Sequence, residues 1–230
     1  MTAIAYAFFM NIVFDFGNVL VGWNPAQLIQ QHYPRPAHSP HTPESAAALA
    51  DALINHQDWL DFDLGLLESE ELAARSARRL ALDDAAHLHA FVDRIPHVLP
   101  VFDETVALMQ MLADGAGGAD EVVGEHRVLY LSNMPTSFAD VLEVRCPWIA
   151  RFEDGIFSGR VNLAKPDDAI YAAAEQRLRL NPAETLFLDD SAKNVAAAGA
   201  RGWHSELIID PHSAKSVRDA LVKHGVLRAA

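Results

Sequence analysis

The chain has 230 residues, half of them hydrophobic, and a formal net charge of −13 at pH 7. That composition supplies a sizeable core and excludes a disordered chain, while the acidic balance excludes a broad electrostatic footprint for nucleic acid or a membrane surface, so an anionic ligand must be held locally by a metal, a lysine or backbone amides. The single cysteine, Cys146, excludes an internal disulfide framework and agrees with a reducing, cytoplasmic setting.

The opening MTAIAYAFFM is apolar but has no basic leader or small-residue cleavage region, so neither a signal peptide nor a membrane span is expected. Met10 also suits a natural start, because MNIVFDFGNVL opens a strand by itself. That strand runs through NIVFDFGN and ends on Asp15, a carboxylate followed two residues later by Gly17. A turn would also use Asp, Gly and Asn here; the alternative is a nucleophile aimed into a cleft.

From about residue 24 to about 95 the strand pattern gives way to helical stretches, PESAAALADALINHQDWLDF and ESEELAARSARRLAL, joined to the start by YPRPAHSPHTP. Trp59 and Phe62 stand at a helical spacing that predicts core of this insert rather than a substrate platform. A helix over ETVALMQMLA, the loop ADGAGGADEVVG and a second buried strand, RVLYLSNMP, follow. CPWIARFEDGIFSGRV predicts a short hairpin, PDDAIYAAAEQRLRL a helix, TLFLDDS a third strand, SAKNVAAAGARG a helix, ELIID a last short strand and AKSVRDALVKHG a final helix.

Buried strands alternating with helices define a doubly wound α/β core with a parallel sheet. The expected division is a core of 1–22 and 96–230 and a helical cap of 23–95. In open sheets of this kind, ligands bind outside the carboxyl ends of the strands. Asp15, Ser132 and the pair Asp189 and Asp190 stand at three such ends, and Lys165 in the loop before the third strand joins them if the strands are neighbours. Helix capping would explain one acid of the 189–190 pair, not two. The eleven histidines show no close metal spacing, and ADGAGGAD does not match a dinucleotide loop.

The motifs FDFGNVL, LYLSNMP, AKPDDAIY and FLDDSAKN, in that order, resemble those of the haloacid dehalogenase (HAD) superfamily over nearly the whole chain. The DD…N form of the last motif is similar to that of bacterial α-D-glucose-1-phosphate phosphatases and, more distantly, of the N-terminal phosphatase domain of soluble epoxide hydrolases, and the Asp-x-Gly-Asn form of the first motif resembles the former. The resemblance implies that Asp15 attacks phosphorus, that Ser132 hydrogen-bonds a phosphoryl oxygen with Asn133 beside it, and that Lys165 balances charge. It implies Mg²⁺ held by Asp15, the Gly17 carbonyl and Asp190, with Asn18, Asp189 and Asn194 supporting them.

Physical chemistry also asks for a cation, because each carboxylate facing a phosphate charge at about 4 Å costs roughly 4 kcal/mol at an effective dielectric near 20. An all-oxygen donor set suits a hard ion such as Mg²⁺. One position departs from the resemblance: many family phosphatases carry a second aspartate two residues after the nucleophile as acid and base, and this chain has Gly17 there. A cap residue or water must replace it, or the leaving group needs little protonation, as in a sugar 1-phosphate, or turnover is weak. The expected activity is therefore a Mg²⁺-dependent phosphatase for a small phosphorylated metabolite. The alternatives are a metal-independent 2-haloacid dehalogenase, against which the acidic pair speaks, and a non-catalytic phosphate-binding protein.

Overall fold

The computed structural model describes residues 9–33, 42–82, 84–115, 122–210 and 214–229. Strands β1 (Phe9–Phe14), β2 (Glu125–Ser132), β3 (Asp154–Phe157), β4 (Thr185–Asp189) and β5 (His204–Leu207) form one parallel sheet in the order β3-β2-β1-β4-β5. The three strands carrying the acidic and hydroxyl residues are its adjacent centre: Phe14 pairs with Tyr130 on one side and Leu188 on the other. Their carboxyl ends therefore meet at one edge of the sheet.

Alternation sends β1 side chains to two dry faces, which is why the strand is apolar at nearly every position. Val13 joins Leu129, Leu131 and Phe187 in a cluster with α8 (Asp168–Leu178) and α9 (Ala192–Ala200). Ile12, Phe14, Leu186 and Leu188 pack on the opposite face with α6 (Asp103–Asp114), α7 (Thr136–Arg145) and α10 (Lys215–Lys223). Each fully buried Leu or Phe of this kind contributes about 1.5–3 kcal/mol relative to exposure.

Between β1 and β2 lie α1 (Pro25–His32), α2 (Pro43–Ile54), α3 (Gln57–Asp63), α4 (Ser69–Leu80) and α5 (Ala85–Val98). These are the helices of a cap, and their apolar faces, including Leu53, Phe62, Leu72, Leu88 and Phe91, are continuous with the second core cluster. The sequence pattern across PESAAALADALINHQDWLDF is interrupted at Asn55 and His56, because the His56 side chain accepts the Asp58 amide at 3.1 Å and starts a new helix. Asn24, Thr42 and Asp84 cap α1, α2 and α5 through their side-chain oxygens. Helix α5 runs on to Val98, past the expected limit at 95.

Three sequence expectations are corrected. The predicted hairpin over CPWIARFEDGIFSGRV is instead a 3-10 turn at Pro147–Arg151 and the edge strand β3, parallel to β2. Asp154 and Gly155, which look like a turn, open that strand; Gly155 lies against the Tyr130 ring, where a Cβ would come within 2.2 Å of Cδ1. The last strand lies two residues earlier than ELIID predicts, starting at His204. The helix after Lys165 starts at Asp168, not Pro166. Half of the loop ADGAGGADEVVG and most of the link YPRPAHSPHTP fall outside the described residues. Among those described, no helix is long and apolar enough to cross a membrane.

Candidate active site

The first loop explains why a buried strand stops at an acid. Phe16 plugs an aromatic cluster, with ring centroids 5.1 Å from Phe157, 5.4 Å from Tyr130 and 5.6 Å from Trp148. Its neighbours Asp15 and Gly17 line a cavity of about 190 Å³ at the carboxyl ends of the strands. The left-handed residue of the loop is Asn18, with φ 52°, rather than Gly17. Asn18 donates to Asp190 Oδ2 at 2.9 Å and accepts from the Trp23 amide at 2.8 Å, so it ties the first loop to the last acidic motif. At Gly17 a Cβ would meet nothing nearer than Trp23 Cβ at 3.8 Å. Space for a side chain exists there, but no acid occupies it.

Lys165 joins the motifs into one ionic cluster. Its Nζ donates to Asp189 Oδ2 at 2.7 Å and Leu131 O at 2.9 Å and ion-pairs with Asp15 Oδ1 at 2.9 Å. Burial pushes the lysine pKa down, but the Asp15 and Asp189 carboxylates outweigh it and hold the pKa above its ordinary value. Asn133 fixes the lysine's backbone reciprocally, donating to Lys165 O and accepting from Lys165 N, both at 2.8 Å. Its amide is thus engaged in placing Lys165 while the residue lines the cavity beside Ser132.

The two acids of the last motif differ in kind. Asp189 is fully buried and saturated, accepting from Lys165, from the Ser191 amide at 2.8 Å and from Asn194 Nδ2 at 3.0 and 3.1 Å. Asp190 is partly exposed and lines the cavity with Asp15. Burial raises the pKa of Asp190, with the Asn18 hydrogen bond opposing and Asp189 reinforcing the shift. Asp15 is pushed up to about 7, first by burial, against Lys165 and with help from Asp189 and Asp190.

Oxygens of Asp15, Asp189 and Asp190 lie within 4.8 Å of one another, a cluster able to hold a metal ion. Three carboxylates share one ammonium, and Asp189 and Asp190 add to the burial that raises the Asp15 pKa. The residues fit a hard divalent cation, since every donor is an oxygen.

The opposite wall is shared by the cap and the segments around β2 and α7 and was not read from the sequence as part of a site. Trp23, Ile54, Trp59, Leu99, Met134 and Phe138 make it apolar, with Trp23 and Trp59 at 6.0 Å between ring centroids. Trp59 is therefore both cap core and cavity wall, whereas Phe62 is core, packed edge-on against Phe138 at 5.4 Å. Asp63 also faces the cavity. Its i, i+4 relation to Trp59 was the available signal, since residues four apart share a helix face.

A family model described as haloacid dehalogenase-like hydrolase matches residues 9–202, and the chain belongs to that family. It is an enzyme of the haloacid dehalogenase-like hydrolase family. The chain is 25% identical over 199 residues to the sesquiterpene phosphatase astK of Aspergillus oryzae, covering 84% of this chain and 87% of that protein. Among solved structures it is similar to a predicted HAD-like family hydrolase from Porphyromonas gingivalis, with TM-score 0.68 and 18% identity, over 94% of this chain and 99% of that one. A HAD family enzyme from Bacteroides thetaiotaomicron, in complex with magnesium and inorganic phosphate, superposes with TM-score 0.65 and 17% identity over 88% of this chain and 95% of that one.

Proposed function

We propose that the protein is a Mg²⁺-dependent phosphatase that cleaves a small phosphomonoester through an aspartyl phosphate on Asp15, with residues 23–95 as the cap that selects the substrate. The observation that carries this reading is the ionic cluster: a strand-end carboxylate paired with a buried lysine and flanked by two further acids. Mg²⁺ would be held by the Asp15 and Asp190 carboxylates and the Gly17 carbonyl, and would neutralise charge on the phosphoryl oxygens.

Asp15 would be held for attack by Lys165, whose ammonium also pairs with Asp189. The Ser132 hydroxyl, buried at the end of β2 and lining the cavity, would donate to a phosphoryl oxygen. Asp189 and Asn194 orient the lysine and the start of α9, and Asn18 orients Asp190. Asn133 sets the lysine's backbone. A carboxylate nucleophile of this kind splits hydrolysis into formation and breakdown of a covalent intermediate.

The non-reacting part of the substrate meets the apolar wall of Trp23, Trp59, Leu99 and Phe138. That chemistry suits an apolar organic group better than a polyol, whose hydroxyls would lose water there without partners. The similarity to a protein named as a sesquiterpene phosphatase supports the same choice, over the sugar 1-phosphate that the Asp-x-Gly-Asn motif suggests.

The test is phosphate release from an isoprenyl or other alkyl monophosphate, sugar 1- and 6-phosphates and an aryl phosphate, with Mg²⁺ or chelator. Metal-dependent release that disappears in Asp15→Asn, with the apolar ester preferred, is the expected result. Halide release from a 2-haloacid unaffected by chelator would replace this reading with the dehalogenase. Preference for sugar 1-phosphates would overturn the substrate class alone.

A further inference from the structure

Asp63 stands apart from every other acid near the site. It is the last residue of α3, one helical turn beyond Trp59, and it lines the same cavity as Asp15, Ser132 and Lys165. No described residue donates a hydrogen bond to its carboxyl group or pairs with it, whereas its backbone is pinned to the core. Ser158 Oγ donates to Asp63 O at 2.5 Å, and Asn162 Nδ2 donates to Leu64 O at 2.7 Å. Gly65, with φ +68°, then lies so close to the core that a Cβ would approach Gly159 O to 2.2 Å. Three contacts thus fix the end of α3 over the strand ends, and they deliver one unpaired carboxyl to the cavity.

We infer that Asp63 is the acid and base of the reaction, supplying from the cap the carboxyl that the first loop lacks at Gly17. The inference rests on the phosphatase reading. As an Asp15 oxygen bonds to phosphorus and the bond to the leaving oxygen breaks, the Asp63 carboxyl gives its proton to that oxygen and the alcohol departs neutral. In the second half the Asp63 carboxylate takes a proton from water as the water oxygen bonds to phosphorus. The Asp15–phosphorus bond breaks, and inorganic phosphate, the Asp15 carboxylate and the Asp63 acid are restored.

The protonation state agrees with this role. Burial alone pushes Asp63 up to about 7, so near neutrality it exists as both acid and base. Charged groups on the surrounding elements are turned to other partners. Arg75 and Arg79 of α4 reach towards Asp58, Arg160 pairs with Asp140 and Glu143, and Asp51 of α2 accepts from Asn55. Across the cavity, Lys165 is engaged by Asp15 and Asp189, and Asp190 by Asn18.

The deciding measurement is kcat/KM of the Mg²⁺-loaded enzyme and of Asp63→Asn on an alkyl and an aryl phosphate, because an aryl oxide leaves without needing a proton. The expected fall is about 10²–10⁴-fold on the alkyl ester and less than about tenfold on the aryl ester. Equal losses on both, or no loss, overturn the role of Asp63 and leave the phosphatase reading standing. A wild type that releases phosphate from neither ester overturns both together. Should the variant not fold, the wild type decides: kcat/KM on the alkyl ester falls as pH rises through about 7 while that on the aryl ester does not. A falling limb shared by both esters does not come from protonating the leaving oxygen and overturns the inference.

Discussion

The two walls of the cavity hold carboxyl groups with opposite surroundings. On the core side, Asp189 is wholly buried and accepts hydrogen bonds from Lys165, Ser191 and Asn194, with each group depending on the others. On the cap side, Asp63 lines the cavity with Trp23, Ile54 and Trp59 and has no partner for its carboxyl group among the described residues. A buried charge with partners is stable in its ionised form, and one without partners holds its proton. The same residue type therefore serves the core as a hydrogen-bonded anchor and the cap as a carboxyl whose pKa burial raises, and changes that remove charge are expected to have opposite signs at Asp189 and at Asp63.

The largest effect is expected from Lys165→Met, which leaves the Asp15 and Asp189 carboxylates facing each other without their shared cation. Breaking a buried ion pair from one side costs about 3–5 kcal/mol. Urea denaturation at pH 8 with chelator should show that loss, reduced at pH 5 as Asp15, whose pKa is pushed up to about 7, takes up a proton. A variant as stable as the wild type would mean that the core wall does not depend on the pair. Activity should be lost as well, because the lysine holds the nucleophile.

Gly65→Ala tests the link between the walls. A left-handed residue with a Cβ costs about 1–2 kcal/mol, and overpacking against Gly159 O adds about 1–3 kcal/mol. The alanine variant should unfold at lower denaturant by about 2–4 kcal/mol, or keep its fold by lifting the end of α3, with alkyl phosphate turnover falling more than aryl phosphate turnover. Wild-type stability together with wild-type substrate discrimination would show that this contact does not position Asp63.

How much of this was legible in the sequence follows from the range of the contacts involved. Asp15, Ser132, Lys165 and the 189–190 pair could be read because adjacent parallel strands bring their carboxyl ends together whatever the details of packing. Even the different duties of Asp189 and Asp190 follow from a short-range pattern, as Asn194 sits one turn into α9 and reaches back to Asp189. Asp63 could not be placed in this way. Its position depends on Ser158, 95 residues away, and on a glycine pair whose approach leaves no periodic trace. Strand β3 was hidden for a related reason: four residues starting Asp-Gly satisfy turn chemistry until Tyr130 of the neighbouring strand covers the glycine. The Asn133 side chain, expected to face the substrate, is engaged by the Lys165 backbone 32 residues away.

The smallest effect has the sign that most clearly separates the walls. Asp63 carries a folded-state pKa of about 7 against an ordinary 3.8, so between those values the folded protein holds a proton that the unfolded chain has released. Stability from this group is then fully present below about pH 4 and is lost as pH rises through about 7. At pH 8 the ionised carboxyl weakens the fold, by about 4 kcal/mol at most from the size of the shift and less once cavity water relaxes around it. Asp63→Asn, neutral at every pH and nearly the same shape, should therefore be more stable than wild type by about 1–3 kcal/mol at pH 8 and no more stable at pH 4. Thermal or urea unfolding at both pH values with chelator measures the difference. A gain at high pH alongside a loss on alkyl phosphates would mark Asp63 as a residue kept for catalysis at the expense of stability. A loss of stability at pH 8 would instead mean that the carboxylate finds a partner in solution and that the two walls are alike.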